Sequence, residues 1–202
     1  MKKPCFVKAL FGLIIFLYSF NSFSQERIIN EVVKWRYYDQ GYLSANWFQQ
    51  NFDSNHWKNG ITPIGYGDKK VITDISAKGK TAKQLVTKYF RKTIVINNPK
   101  DYVVFEMKIK RDDGILIHIN GREVFRNNMP FGRITGTTFS LERIEPADET
   151  KILSKMVIPK TFKTGKHNID VSIHQYDLRS SDCIFSLELV GYKNFNDLNS
   201  AV

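Results

Sequence analysis

Alternation of apolar and polar residues with a period of two runs through most of this chain, and it leaves little room for anything but β-sheet. In residues 102–110, Val103, Phe105, Met107 and Ile109 fall on one side and Glu106, Lys108 and Lys110 on the other. Successive side chains of a strand point to opposite faces, so the pattern describes a sheet with one buried face. Ile115, Ile117 and Ile119 repeat it, with Leu116 and His118 opposite. Asn120-Gly121 follows, the dipeptide best suited to a two-residue hairpin because both positions tolerate positive φ. Residues 123–126 supply the return arm. Ile169, Val171 and Ile173 alternate with Asp170, Ser172 and His174, and Cys183, Phe185, Leu187 and Leu189 with Ile184, Ser186 and Glu188. Residues 90–96 and 155–158 are further strand candidates, and only 81–87 suits a short turn of helix. Short strands with polar connections in a chain of this size predict an all-β fold, an antiparallel β-sandwich.

The ends read differently. Lys2, Lys3 and Lys8 precede an apolar run over residues 9–20, and Ser22 and Ser24 place small residues at the positions a signal peptidase reads. Residues 1–24 are therefore expected to be a signal peptide, too short for a comfortable membrane span. The protein is expected to be secreted, periplasmic or on the cell surface, with no transmembrane segment after cleavage. Residues 25–192 form one domain in this reading, and 193–202 a flexible polar tail. Removing 1–24 lowers Lys and Arg from 30 to 27 against 20 acids, so the net charge falls from +10 to +7. Those charges are dispersed, with no clustered arginines interleaved with aromatics, which argues against a specific nucleic-acid site. Only Cys183 is left, opening an apolar run, so no internal disulfide can form and the core alone must hold the fold.

Residues 35–74 break the alternation. They are rich in aromatics, Gly and Asn: Trp35, Tyr37, Tyr38, Trp47, Phe52, Trp57 and Tyr66. Long loops of this kind wrap a sandwich, where they plug the core or build a binding surface. Trp35 and Trp47 are read as sealing the core. Trp57, beside Asn55 and His56, is read as an exposed contact.

A set of short motifs carries a resemblance. They include Trp35-Arg36-Tyr37-Tyr38-Asp39, Phe52-Asp53-Ser54 with Trp57, and Pro63-Ile64-Gly65-Tyr66-Gly67-Asp68. Further on come Tyr89-Phe90-Arg91-Lys92, Arg111-Asp112-Asp113-Gly114, His118-Ile119-Asn120-Gly121, His174-Gln175 and Ser180-Ser181-Asp182. In this order the chain resembles the galactose-binding-domain-like jelly roll of secreted bacterial phosphoesterases, glycosidases and surface proteins. The resemblance implies a jelly-roll sandwich with long aromatic-rich N-terminal loops and an accessory role in binding carbohydrate or another surface component. The module is expected to stand here without a catalytic domain. A looser similarity to the lectin-like module of bacterial toxins and yeast adhesins brings in calcium, through which some of those bind sugar.

Asp112-Asp113-Gly114 offers two adjacent carboxylates, hard oxygen donors that suit Ca2+, and equally the bend residues of a turn. His174, Asp182 and Arg126 are the polar candidates for a ligand site, and Trp57 and Tyr66 the aromatic ones. Antiparallel pairing would bring His174-Gln175 and Ser180-Ser181-Asp182 together at one rim. A His, an Asp and a Ser invite a hydrolytic triad, but no G-x-S-x-G elbow supports it, and a clamp on loop backbone is the alternative. Gly65-Tyr66-Gly67-Asp68 lacks the Lys-Ser/Thr of a phosphate cradle, and no HExxH or CxxC occurs. The expectation is a non-catalytic binding module for a glycan or surface protein. A structural or protein-interaction subunit, and a hydrolase around His174 and Asp182, are its rivals.

Overall fold

The alternating segments form strands in the computed structural model, which describes residues 25–76, 85–145, 148 and 151–199. The leader over 1–24 and most of the helical turn expected at 81–87 lie outside those residues. Among the described residues one sheet runs, in spatial order, β3 (Lys58–Ile61), β2 (Lys34–Tyr38), β6 (Thr87–Ile96), β11 (Gly165–His174), β8 (Gly114–Ile119) and β9 (Arg122–Asn127). The other runs β10 (Leu153–Val157), β7 (Val104–Asp112), β12 (Cys183–Tyr192), β4 (Ile64–Tyr66) and β5 (Thr73–Asp74), with β1 (Gln25–Ile29) also pairing β12. They are called the first and second sheet below. The pairing is antiparallel except for the short parallel contact of β4 with β5.

Both inner faces carry the predicted alternation. Ile115, Ile117, Ile119, Ile169, Val171 and Ile173 of the first sheet meet Phe105, Met107, Ile109, Phe185, Leu187 and Leu189 of the second. Trp35 meets the Phe185 ring edge-on at 5.0 Å, and Phe90 lies 4.3 Å from it. Removing such large apolar side chains from water is what holds a fold with no disulfide together. Cys183 is wholly buried and free. Asn120 and Gly121 take φ of 51° and 83°, and they join β8 to β9 as a two-residue turn. Gly65 answers a different need. A Cβ there would lie 1.8 Å from the carbonyl oxygen of Cys183, so the pairing of β4 with β12 requires glycine.

One expectation needs correction. β11 and β12 do not pair: β11 is hydrogen-bonded to β6 on one side and β8 on the other, so it has no free edge, and residues 175–182 cross to the second sheet. Residues Phe195–Asn199 form a short helix, α1, and Leu198 packs on Val104, Val190 and Tyr192.

Candidate functional site

Polar side chains of the first sheet that alternate with the core residues collect on its outer face. The register aligns Arg36, Arg91, Asp170, His118 and Glu123 in one row across β2, β6, β11, β8 and β9. The next row is Tyr38, Tyr89, Ser172, Leu116 and Arg126. A charged row of this kind belongs at a solvated surface, but loops from both sides cover it.

The first cover is the segment between β2 and β3. Trp47, Trp57 and Tyr89 form a second apolar cluster there, with Tyr38, Leu43, Phe48 and Phe52 packed on it. Arg91 fixes this layer. Its guanidinium donates to the carbonyls of Phe52 and Trp47 at 2.8 Å each and of Gln49 at 3.1 Å, while Nε bonds the Asp170 carboxylate. The rings of Phe52 and Trp57 lie 5.6 and 5.8 Å from its charged carbon. Burial pushes Asp170 up to about 7, with the Arg91 hydrogen bond working in the opposite direction. The second cover is residues 130–140, after β9. Thr87 Oγ1 donates to Gly136 O at 2.7 Å, and Arg126 donates to the carbonyls of Pro130 and Gly132.

Between the covers a cleft of about 480 Å3 remains. Leu116, His118, Ser172 and Tyr89 make its floor, residues 43–48 one wall, and residues 132–136 the other, with Glu123 and Arg126 alongside. Glu123 accepts two hydrogen bonds from Arg126, both at 2.8 Å, in the fork geometry that suits this pair. That hydrogen bond holds the Glu123 carboxyl below its usual range. His174 is 1% exposed and fully partnered. Its Nδ1 donates to Thr138 O at 2.8 Å, and its Nε2 therefore accepts from Ser172 Oγ at 2.9 Å. Burial above all pushes this imidazole down to about 4. His118 is 6% exposed and pushed down to about 4 by the same cause. Its ring stacks on Phe48 with centroids 4.1 Å apart and 4° between planes. Nδ1 is sealed from water with no hydrogen-bond partner; Nε2, which is not sealed, makes no hydrogen bond among the described residues.

The candidates drawn from the sequence scatter. Arg126 and His174 line the cleft, His174 from beneath. Trp57, expected to be exposed, is 4% exposed in the second apolar cluster: its polar neighbours in sequence point outward while its own ring packs on Tyr38, Phe52 and Trp47. Tyr66 is buried in the main core, where its hydroxyl accepts from Lys88 Nζ at 3.3 Å. Asp182 stands at the rim, where its main-chain oxygen accepts from Gln175 Nε2 and Ser180 Oγ, both at 3.1 Å. That rim is filled by the chain itself. Asp112 and Asp113 are both buried, and the two Asp113 oxygens accept from the N–H groups of Ile144 and Tyr176 at 2.8 Å each. A carboxylate held by two main-chain donors is a poor metal ligand. No group of three or more His, Cys, Asp or Glu among the described residues could hold a metal ion.

Four of the cleft residues absent from the sequence-based site bear most on its chemistry: Phe48, His118, Glu123 and Ser172. Three of them had a signal. His118 and Ser172 sit on the polar side of alternating strands, and Glu123 is the first polar residue of the hairpin's return arm after Arg122, so pairing β8 with β9 and β11 brings them to one face. Phe48 had none, because its position depends on a loop folding back.

No protein-family model matches the sequence, and no curated protein does. Solved structures do match. An uncultured Clostridium species β-glucuronidase superposes with a TM-score of 0.51 at 10% identity, over 83% of this chain and 29% of that one. Bacteroides uniformis β-glucuronidase 2, covalently bound to cyclophellitol-6-carboxylate aziridine, gives 0.51 at 11% identity over 83% and 18%. A glycosyl hydrolase family 2 member from Bacteroides cellulosilyticus DSM 14838 gives 0.51 at 12% over 83% and 20%. This chain thus spans between a fifth and three-tenths of the length of these glycosidases, to a close approximation. At such identities the likeness establishes the fold, a β-sandwich of the kind built into these enzymes. No helix among the described residues is long and apolar enough to cross a membrane.

Proposed function

We propose that this chain is an exported, non-catalytic module that binds carbohydrate in the cleft on the outer face of the first sheet. The observation carrying the reading is His118, a buried imidazole on the cleft floor with no hydrogen-bond partner at either nitrogen among the described residues. Buried polar groups in folded proteins are almost always partnered, and leaving one unpartnered costs about 1–3 kcal/mol. A ligand hydroxyl reaching Nε2 would give the ring its partner. The cleft volume lies inside the range of roughly 300–1,000 Å3 common for small-molecule sites. Its walls combine aromatic surface with fixed polar groups, as sugar recognition requires. The shared fold with glycosidases is supporting analogy only, since one sandwich hosts many functions. Export is supported by the leader-like residues 1–24. The test is a glycan array probed with the wild type and with His118→Phe. Binding that the variant loses supports the reading, and no binding to any glycan refutes it.

The Ser172–His174 contact favours a second reading, acyl transfer by a Ser-His pair. Against it, Ser172 lies mid-strand in a β11 paired on both sides, so the N–H of Ile173 is held in the ladder and cannot serve an oxyanion as it does after an elbow nucleophile. An imidazole at about 4 is also a weak base at neutral pH. Labelling of Ser172 by a fluorophosphonate would favour the hydrolase.

A further inference from the structure

The hydrogen-bond network beneath the cleft fixes which way its protons point, and that direction says what the ligand must carry. Thr138 O takes the Nδ1 proton of His174, so Nε2 has only a lone pair, and the Ser172 proton must point at it. Ser172 Oγ, on the cleft floor, is left as an acceptor. Glu123 is an acceptor too, with lone pairs beyond the two that Arg126 engages. Arg126 has little to offer in return. Four of its five N–H groups are committed, two to Glu123 and one each to Pro130 O and Gly132 O. Its charge is matched by Glu123, and His118 is neutral at neutral pH because of its burial. Arg133 remains as an exposed cation on the rim, in water, where its pull on an anion is screened.

The Tyr89 hydroxyl accepts from Leu43 N and can donate, but the Ser172 and Glu123 acceptors of this floor call for donors from the guest. An ionised carboxylate or sulfate has none, and would lose its hydration without a free cation to replace it. A ring carrying hydroxyls meets the requirement.

The mouth adds a second feature. Phe131 precedes Gly132 of the cleft wall and is 100% exposed. A single apolar side chain in water is ordinary, and what distinguishes this one is how its turn is held. Here the tip is held: Arg126, itself forked onto Glu123, bonds the carbonyls on both sides of Phe131. The ring is presented on a braced turn.

We propose that the cleft selects an uncharged pyranose bearing free hydroxyl donors, with Ser172 and Glu123 as its accepting floor and Phe131 as the stacking platform at its mouth. This rests on the carbohydrate-binding reading above and narrows it to neutral glycans. Titration calorimetry of the mature chain with neutral oligosaccharides of galactose, glucose and mannose, and in parallel with oligogalacturonate, tests it. Phe131→Ala serves as the variant, because a fully exposed side chain can be removed without disturbing the fold. The expected result is binding of at least one neutral series, at least tenfold weaker binding of oligogalacturonate, and a loss of about tenfold in Phe131→Ala with an unchanged thermal midpoint. Equal or tighter binding of oligogalacturonate would overturn the choice of a neutral ligand while leaving the carbohydrate reading intact. Full affinity in Phe131→Ala would remove the platform. No binding of any sugar would overturn both readings together.

Discussion

Two buried histidines on the same face of the same sheet have opposite fates. His174 closes the end of β11 with both nitrogens partnered, by Thr138 O and Ser172 Oγ. Around it the rim is tied off, with Asp113 holding the main chain of Ile144 and Tyr176 and Gln175 holding Asp182. On the neighbouring strand β8, His118 is also buried and also pushed down to about 4, yet has no hydrogen-bond partner among the described residues. Burial and a shifted pKa therefore do not separate a structural histidine from a binding one. The accounting of partners does, because only an unpartnered group gains when something arrives.

Substitutions can break or sharpen that contrast. Gly65→Ala is expected to have the largest effect, about 4–5 kcal/mol or loss of folding, because a Cβ would meet the Cys183 carbonyl and open the second sheet. Chemical denaturation reads it. Asp113→Ala should cost about 2–3 kcal/mol by leaving two partly buried main-chain N–H groups without their acceptor, and Asp113→Asn about half of that. A small change in Asp113→Ala would mean the rim is not tied as described. His118→Phe, by contrast, should be neutral or stabilising by about 1 kcal/mol at pH 7, since it deletes an unpartnered group and keeps the stack on Phe48.

That variant also sets the pH dependence. His118 is held near 4 in the folded protein against 6.5 in the unfolded chain. Between those values the unfolded chain takes up a proton that the folded one refuses, so the contribution of the neutral ring is full above 6.5 and lost as pH falls toward 4. Wild type is expected to lose about 2–3 kcal/mol more than His118→Phe between pH 7 and pH 4, followed by denaturation curves at each pH. The smallest effect belongs to Phe131→Ala, within about 0.5 kcal/mol in stability, since nothing in the fold rests on that ring.

The strands were legible because alternation is local: Ile115, Ile117 and Ile119 declare their face without reference to the rest of the chain. The Asn120-Gly121 turn was legible for the same reason. The division into sheets was not, since nothing near Gln175 or Asp182 says that β11 has both edges occupied. Trp57 failed on locality as well. Asn55 and His56 describe the backbone's surroundings, while the indole packs with nearby Phe52 under Arg91, which is far away in sequence, in a second apolar layer. Arg126 and His174 were found as polar residues ending strands. Phe131, between Pro130 and Gly132, carries no signal in the sequence, and only the grip of Arg126 on the carbonyls on either side sets it apart.

The central claim, that an unpartnered His118 marks a working cleft, is tested most directly by titrating wild type and His118→Phe with the neutral oligosaccharides under identical conditions. The expected result is measurable binding by wild type and at least tenfold weaker binding by the variant, at an equal or higher thermal midpoint. Equal affinity in the two proteins would contradict it, and would place the binding surface elsewhere on the sandwich.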